Sequence, residues 1–194
     1  MAAPKKKSSL QRVREGDAIL IIDTINDLSF PGGEKVLPWA MKFAPKLLAV
    51  RKKAHRAGVP VIYVNDNFGH WTSNFSDVFR YCTRRDARGR AVVRQLKPTK
   101  NDYFVLKPRH SGFFATSLQP LLEDFEIKRL ILSGISTNLC VLFTAHDAHM
   151  LRYPMLVLSD CCAAESDFDH NVALTQLEQY CKATICLSTQ LRFR

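Results

Sequence analysis

The sequence predicts a doubly wound, three-layer α/β domain on a mainly parallel sheet, and three observations predict it. Short apolar runs recur at 18–22, 59–64, 103–106, 130–132, 155–158 and 183–187, and they read as strands covered on both faces. Segments with helical spacing alternate with them through most of the chain. Several runs end on a polar or charged residue, as a strand does where it leaves the core of an open sheet.

The elements follow in order. The run 18–22 ends at Asp23, and a loop, Asp23-Thr24-Ile25-Asn26-Asp27-Leu28-Ser29-Phe30-Pro31-Gly32-Gly33, follows it. Residues 41–57 repeat helically through Phe43, Leu47, Leu48, Val50 and Ala54, with Gly58 as the stop. The strand 59–64 ends at Asn65-Asp66-Asn67. Residues 68–100 read as irregular, with Trp71, Phe75, Phe79, Tyr81 and many arginines, and a loop this long in a compact domain reads as functional or lid-like. The strand 103–106 ends at Lys107, and a helix is expected over 116–125 with Thr116 or Ser117 as its cap. The strand 130–132 leads into a tight turn over 134–138. Cys140 then opens a helix to about 151, the strand 155–158 ends at Ser159-Asp160, and a helix over 168–181 precedes the last strand.

Composition sets the bounds. The 194 residues suit one domain, expected over 16–194 after a basic, disordered N-terminal tail at 1–15. No apolar run reaches the roughly 18 residues of a membrane span, and no apolar stretch follows the tail to make an export signal. The six cysteines show no C-x-x-C spacing and no histidine at zinc-finger spacing, which predicts reduced thiols and a cytoplasmic location. The formal charge of +10 is spread over scattered basic runs without interleaved aromatic platforms. That predicts a solvated basic surface rather than a nucleic-acid partner, with a pocket for an anionic substrate as the alternative reading. Neither G-x-G-x-x-G nor a Walker motif occurs, so no nucleotide cofactor is expected.

Chemistry concentrates at the sheet edge where ligands bind in open α/β folds. Cys140 follows the fourth strand at the start of a helix, where the helix dipole favours the thiolate. Asp23 ends the first strand and Lys107 the third. Asp23 is the expected general base, and Lys107 the cation that holds Asp23 ionised and favours the thiolate. Backbone N–H groups in the turn before Cys140 are the expected oxyanion donors. The combination predicts amide or ester hydrolysis through a thioester; a buried, inert Cys140 is the alternative. Asn26, Phe30, Asn67, Trp71, His110 and Phe113 fall in loops at the same edge and are the expected walls of a pocket for a small planar amide.

These residues carry a resemblance to the isochorismatase-like cysteine hydrolases. The matching pieces are Ile21-Ile22-Asp23-Thr24-Ile25-Asn26-Asp27, Lys107-Pro108-Arg109-His110-Ser111-Gly112-Phe113, residues 133–141, and Thr144-Ala145-His146-Asp147-Ala148. The resemblance implies a Rossmann-like fold with a six-stranded parallel sheet, an Asp–Lys–Cys triad matched by Asp23, Lys107 and Cys140, and a homo-oligomer, dimer or tetramer. It also implies a cis peptide at Ile135–Ser136, with the N–H groups of Ser136 and Cys140 facing the oxyanion. Nicotinamidases of this family carry a metal-binding Asp-x-His after the second strand. Here Asp66-Asn67-Phe68 stands there and His70 falls two residues late, so no metal is expected. Isochorismatases themselves act on a vinyl ether without a cysteine nucleophile, so Cys140 points to the amidohydrolase branch. Residues 107–118 resemble the ureidoacrylate amidohydrolase type most closely. The expectation is therefore a metal- and cofactor-free cysteine hydrolase of a small amide or ureido compound. The alternatives are a nicotinamidase-like or isochorismatase-like hydrolase and a non-catalytic basic binding or scaffold protein.

Overall fold

The computed structural model describes residues 9–71 and 74–193. Its central sheet holds β2 (Asp17–Ile22), β3 (Val61–Asp66), β4 (Tyr103–Lys107), β5 (Arg129–Ile135), β6 (Met155–Ala163) and β7 (Thr184–Cys186). Their order is β4-β3-β2-β5-β6-β7, and every neighbouring pair is parallel. The chain builds outward from β2 through β3 and β4, then returns to the other side of β2 for β5, β6 and β7. The order therefore reverses between β2 and β5, and in such sheets a crevice opens beyond the carboxyl ends of the two strands at the reversal.

Both faces of the sheet are covered, and strand alternation decides which residue goes where. Ile19 and Ile21 of β2, Val61 and Tyr63 of β3 and Ile131 of β5 pack with Val36, Phe43, Leu47 and Val50 of α1 (Gly33–Arg56). Ala18, Leu20 and Ile22, Ile62 and Val64, and Leu130 and Leu132 face the opposite way. They pack with Leu118 and Leu122 of α4 (Leu118–Asp124), Ala145 and Ala148 of α5 (Leu142–Met150), and Leu177 of α6 (Asp167–Gln179). All six residues of β2 are buried, as its unbroken apolar run requires.

Helix α1 starts eight residues earlier than the expected Met41. It runs through Pro38 and Pro45, each of which removes a backbone donor. Its buried stripe begins at Val36, ahead of both prolines, so packing overrides the local signal. The segment 68–100 is not wholly irregular: it contains α2 (Phe75–Cys82) and α3 (Arg90–Gln95). A reciprocal capping box between Asn74 and Asp77 starts α2. Arg84 of this segment bonds Asp27 at 2.8 Å, Arg88 bonds the Leu28 carbonyl at 2.7 Å, and the Gly89 amide bonds the Asp27 carbonyl at 2.9 Å. The long segment is thereby fastened to the loop after β2.

Regular structure begins before Gly16. Residues 11–13 of the expected tail form β1 (Gln11–Val13), paired in parallel with β8 (Leu191–Phe193). Val13 and Leu191 are buried in the α1 side of the core, and Arg129 ties the Arg12 carbonyl (2.6 Å) to Asp17 (2.6 Å). Three-residue strands are too short to show alternation in sequence, which is why this pair was not expected. The first eight residues of the expected tail lie outside the described residues. Among the described residues, no helix is long and apolar enough to cross a membrane.

Strand β5 runs past the expected turn at Gly134, because Ser133 and Gly134 still pair with Ile21 and Ile22. Gly134 has φ +124°, and a Cβ there would stand 1.9 Å from the Ile22 carbonyl oxygen. The two central strands can approach only through this glycine. Gly134→Ala is expected to cost at least ~3 kcal/mol, a fall in Tm of roughly 6–12 °C, read by thermal unfolding.

Candidate active site

Asp23, Lys107 and Cys140 meet at the crevice between β2 and β5. Asp23 is the first residue after β2 and has φ +49°, with its amide bonded to the Val64 carbonyl at 2.9 Å. This turns the carboxylate across the end of β3, where Oδ1 accepts from the Asp66 amide at 2.6 Å. Lys107, the last residue of β4, is fully buried and spans the end of β3 to reach Asp23 Oδ2 at 2.7 Å. The same Nζ donates to the Arg109 carbonyl at 3.1 Å and lies 3.5 Å from Cys140 Sγ, with Asp66 Oδ2 at 3.8 Å. Cys140 Sγ and the Asp23 carboxylate are close enough for each to shift the other's proton affinity.

Cys140 sits on a wide π turn, Thr137–Val141, rather than on the first turn of an α-helix, and α5 begins after it. The Ile135–Ser136 peptide bond leading into this turn is cis. Thr144 Oγ1 ties the turn to the segment after β4: it donates to the Cys140 carbonyl at 2.7 Å and accepts from the Gly112 amide at 2.9 Å. Ser111 adds a 2.5 Å bond to Asp147. These contacts fix the 108–113 loop against the helix that follows the thiol.

Electrostatics differ from the sequence expectation in one respect. Burial pushes the Cys140 thiol well above its ordinary range, and the neighbouring Asp23 pushes the same way; Lys107 opposes but does not prevail. The resting sulfur is therefore a thiol, not the thiolate that a helix start and a nearby lysine predict, because desolvation outweighs both. Burial likewise raises the Asp23 carboxyl against the opposing pull of Lys107 and Cys140. Burial works to lower Lys107, but Asp23, then Cys140 and Asp66, outweigh it and keep it raised, hence protonated. Burial thus raises both the thiol and the carboxyl, with the Lys107 ammonium 2.7 Å from Asp23 opposing the rise.

A pocket of about 260 Å³ opens onto the sulfur, lined by Asp23, Asn26, Phe30, Asp66, Phe68, His110, Ile135, Ser136, Leu139, Cys140 and Glu165. Asn26, Phe30 and His110 stand where the sequence placed them, with His110 Nδ1 3.9 Å from Sγ. Three expected wall residues do not line it. Asn67 is buried, and its Oδ1 accepts from the Gly69 amide at 2.9 Å, so it shapes its own turn. Phe113 faces the α4–α6 side of the core and stacks on Tyr153. Trp71 is 76% exposed and belongs to the surface of the 68–100 segment. The pocket adds Asp66, Phe68, Leu139 and Glu165, which the sequence reading did not select. The rule that singled out Asp23 and Lys107, a charged strand end, applies equally to Asp66 at the end of β3. Glu165 lies between β6 and α6 and carries no local signal. The donor set does not fit a metal centre. Phe68 stands two residues after Asp66, and among the described residues no three His, Cys, Asp or Glu side chains converge to hold an ion.

Comparison with known proteins identifies the family. Residues 17–189 match the Isochorismatase domain. An uncharacterised isochorismatase family protein, YaaI of Bacillus subtilis (strain 168), is 36% identical over 174 residues, covering 90% of this chain and 95% of YaaI. The ureidoacrylate amidohydrolase RutB of Caulobacter vibrioides is 30% identical and covers 84% of each chain. Among solved structures, N-carbamoylsarcosine amidase from Thermoplasma acidophilum superposes with a TM-score of 0.69 at 28% identity, over 89% of this chain and 96% of that one. With the domain match spanning nearly the whole sheet and its helices, the chain belongs to the isochorismatase family of hydrolases.

Proposed function

We propose that the protein hydrolyses the C–N bond of a small amide or ureido compound through a thioester on Cys140. The observation that carries this reading is the convergence of one thiol, one basic carboxylate and one buried ammonium at the mouth of a small pocket. In the first half-reaction Cys140 Sγ attacks the carbonyl carbon while Asp23 takes the thiol proton. The carbonyl oxygen becomes an oxyanion, for which the N–H groups of Ser136 and Cys140 are the proposed donors. Collapse breaks the C–N bond, and Asp23 returns the proton to the departing nitrogen. In the second half-reaction Asp23 takes a proton from water, the hydroxide adds to the thioester, the C–S bond breaks, and the proton returns to sulfur. Lys107 stays protonated throughout and holds the carboxylate in place. A reducing compartment belongs to the same reading, because all six cysteines are free.

The base is testable by pH. Since the Asp23 carboxyl is raised, it takes up a proton on acidification before an ordinary carboxylate does. The acid limb of kcat/KM is thus expected above the usual 3.8. Asp23→Asn is expected to lower kcat/KM by roughly 10³-fold or more and to abolish that limb. A limb that persists unchanged in Asp23→Asn assigns the base to another group. The substrates for this assay are simple carboxamides and ureas, with release of ammonia or amine as the readout.

A further inference from the structure

The protein is strongly basic, with a formal charge of +10, yet its pocket is not. Three carboxylates, Asp23, Asp66 and Glu165, line it, and the one ammonium beside them, that of Lys107, is paired to Asp23 and does not line it. Lys107 has three N–H donors, and they are taken by Asp23 (2.7 Å), the Arg109 carbonyl (3.1 Å) and Cys140 Sγ (3.5 Å). Its nitrogen is fully buried, so it has no free donor for a ligand carboxylate. Of the arginines on the surrounding loops, Arg84 bonds Asp27, Arg88 bonds the Leu28 carbonyl, and Arg109 bonds the Pro108 carbonyl at 3.0 Å. Among the described residues, no lysine or arginine lines the pocket. Glu165 differs from the other two carboxylates because no hydrogen bond or ion pair holds it among the described residues. Its carboxyl group rests against the backbone of Gly32, where a Cβ would come within 2.5 Å of it. Phe30, Phe68, Ile135 and Leu139 supply the apolar remainder.

We propose that this pocket takes an amide or ureido substrate whose far end carries a protonated amine, that it rejects carboxylate-bearing ones, and that Glu165 sets this preference. A carboxylate entering here would shed water without gaining a lysine or arginine partner and would face Asp66 and the exposed Glu165, while Asp23 is already paired to Lys107. An ammonium would instead find in Glu165 a carboxylate with open acceptor sites, and the apolar walls would cover the methylene stem between amine and amide. The names of RutB and of N-carbamoylsarcosine amidase refer to substrates that carry a carboxylate, so the class proposed here departs from both. The inference rests on the pocket being the substrate site of the proposed amide hydrolase.

The test has two readouts. The first is alkylation of Cys140 in the full-length protein by iodoacetate, iodoacetamide and 2-bromoethylamine, followed by peptide mass spectrometry and divided by the rate of each reagent with free glutathione. The anionic reagent is expected to be at least tenfold slower than the neutral one, and the cationic reagent faster than the neutral one. Glu165→Gln is expected to narrow the anionic-to-neutral gap at least threefold. The second is hydrolysis of 3-ureidopropionate, propylurea and (2-aminoethyl)urea, for which kcat/KM is expected to rise in that order. Iodoacetate reacting as fast as iodoacetamide, a gap that Glu165→Gln leaves unchanged, or 3-ureidopropionate as the best of the three ureas would each overturn the proposal. Charge-ordered alkylation with no hydrolysis of any urea would leave the pocket's selectivity standing and count against the amide-hydrolase reading instead.

Discussion

Cys140→Ala is expected to lower turnover by roughly 10⁴-fold or more while leaving the fold intact. In the proposed reaction the sulfur forms the acyl bond, and no other group in the pocket replaces it. The other five cysteines are buried elsewhere, and none lines the pocket. The structural cost of the change is small. Removing Sγ deletes a 3.5 Å contact to Lys107, but that ammonium keeps Asp23 at 2.7 Å and the Arg109 carbonyl at 3.1 Å. A Tm within about 2 °C of wild type should accompany the loss of activity. Full activity in this variant would exclude a covalent mechanism.

Lys107→Met is expected to damage both activity and stability. It removes the ammonium that lies 2.7 Å from Asp23, whose carboxylate is itself buried. A buried charge stripped of its partner costs about 3–5 kcal/mol, or roughly 10 °C in Tm for a chain of this size. Asp23 can escape that cost by taking up a proton. Its pKa is already raised by burial, and Lys107 is the largest force opposing the rise. Protonated Asp23 cannot accept the thiol proton, so activity is expected to fall by about 10³-fold or more. The double variant Asp23→Asn/Lys107→Met separates the two effects. Without a charge to bury, it should recover most of the lost Tm and none of the activity. Unfolding by denaturant and kcat/KM on the same samples read both.

The fold was legible because its strands are apolar on both faces and its helices alternate with them. The unbroken run in β2 and the buried stripe of α1 are long enough to carry periodicity. β1 and β8, three residues each, are not. Asp23, Lys107 and Cys140 could be singled out as residues at or just past strand ends, and parallel topology brings such residues to one edge. The pocket wall was harder to read, because lining depends on which way a loop turns. Phe30 faces the pocket while Phe113 faces the core, and nothing in either local sequence separates them. The protonation of Cys140 was also hidden. Its position predicts a thiolate, and only the depth of burial reverses that.

The measurement closest to the central claim is mass analysis of the acyl-enzyme. Wild-type protein mixed with a slowly turned-over activated amide, quenched in acid and digested with trypsin should carry the acyl group on the peptide spanning residues 130–152, which contains Cys140 and no other cysteine. The adduct should disappear on treatment with hydroxylamine and be absent from Cys140→Ala. Turnover by wild type with no adduct on this peptide, or the same adduct elsewhere in Cys140→Ala, would contradict a thioester at Cys140.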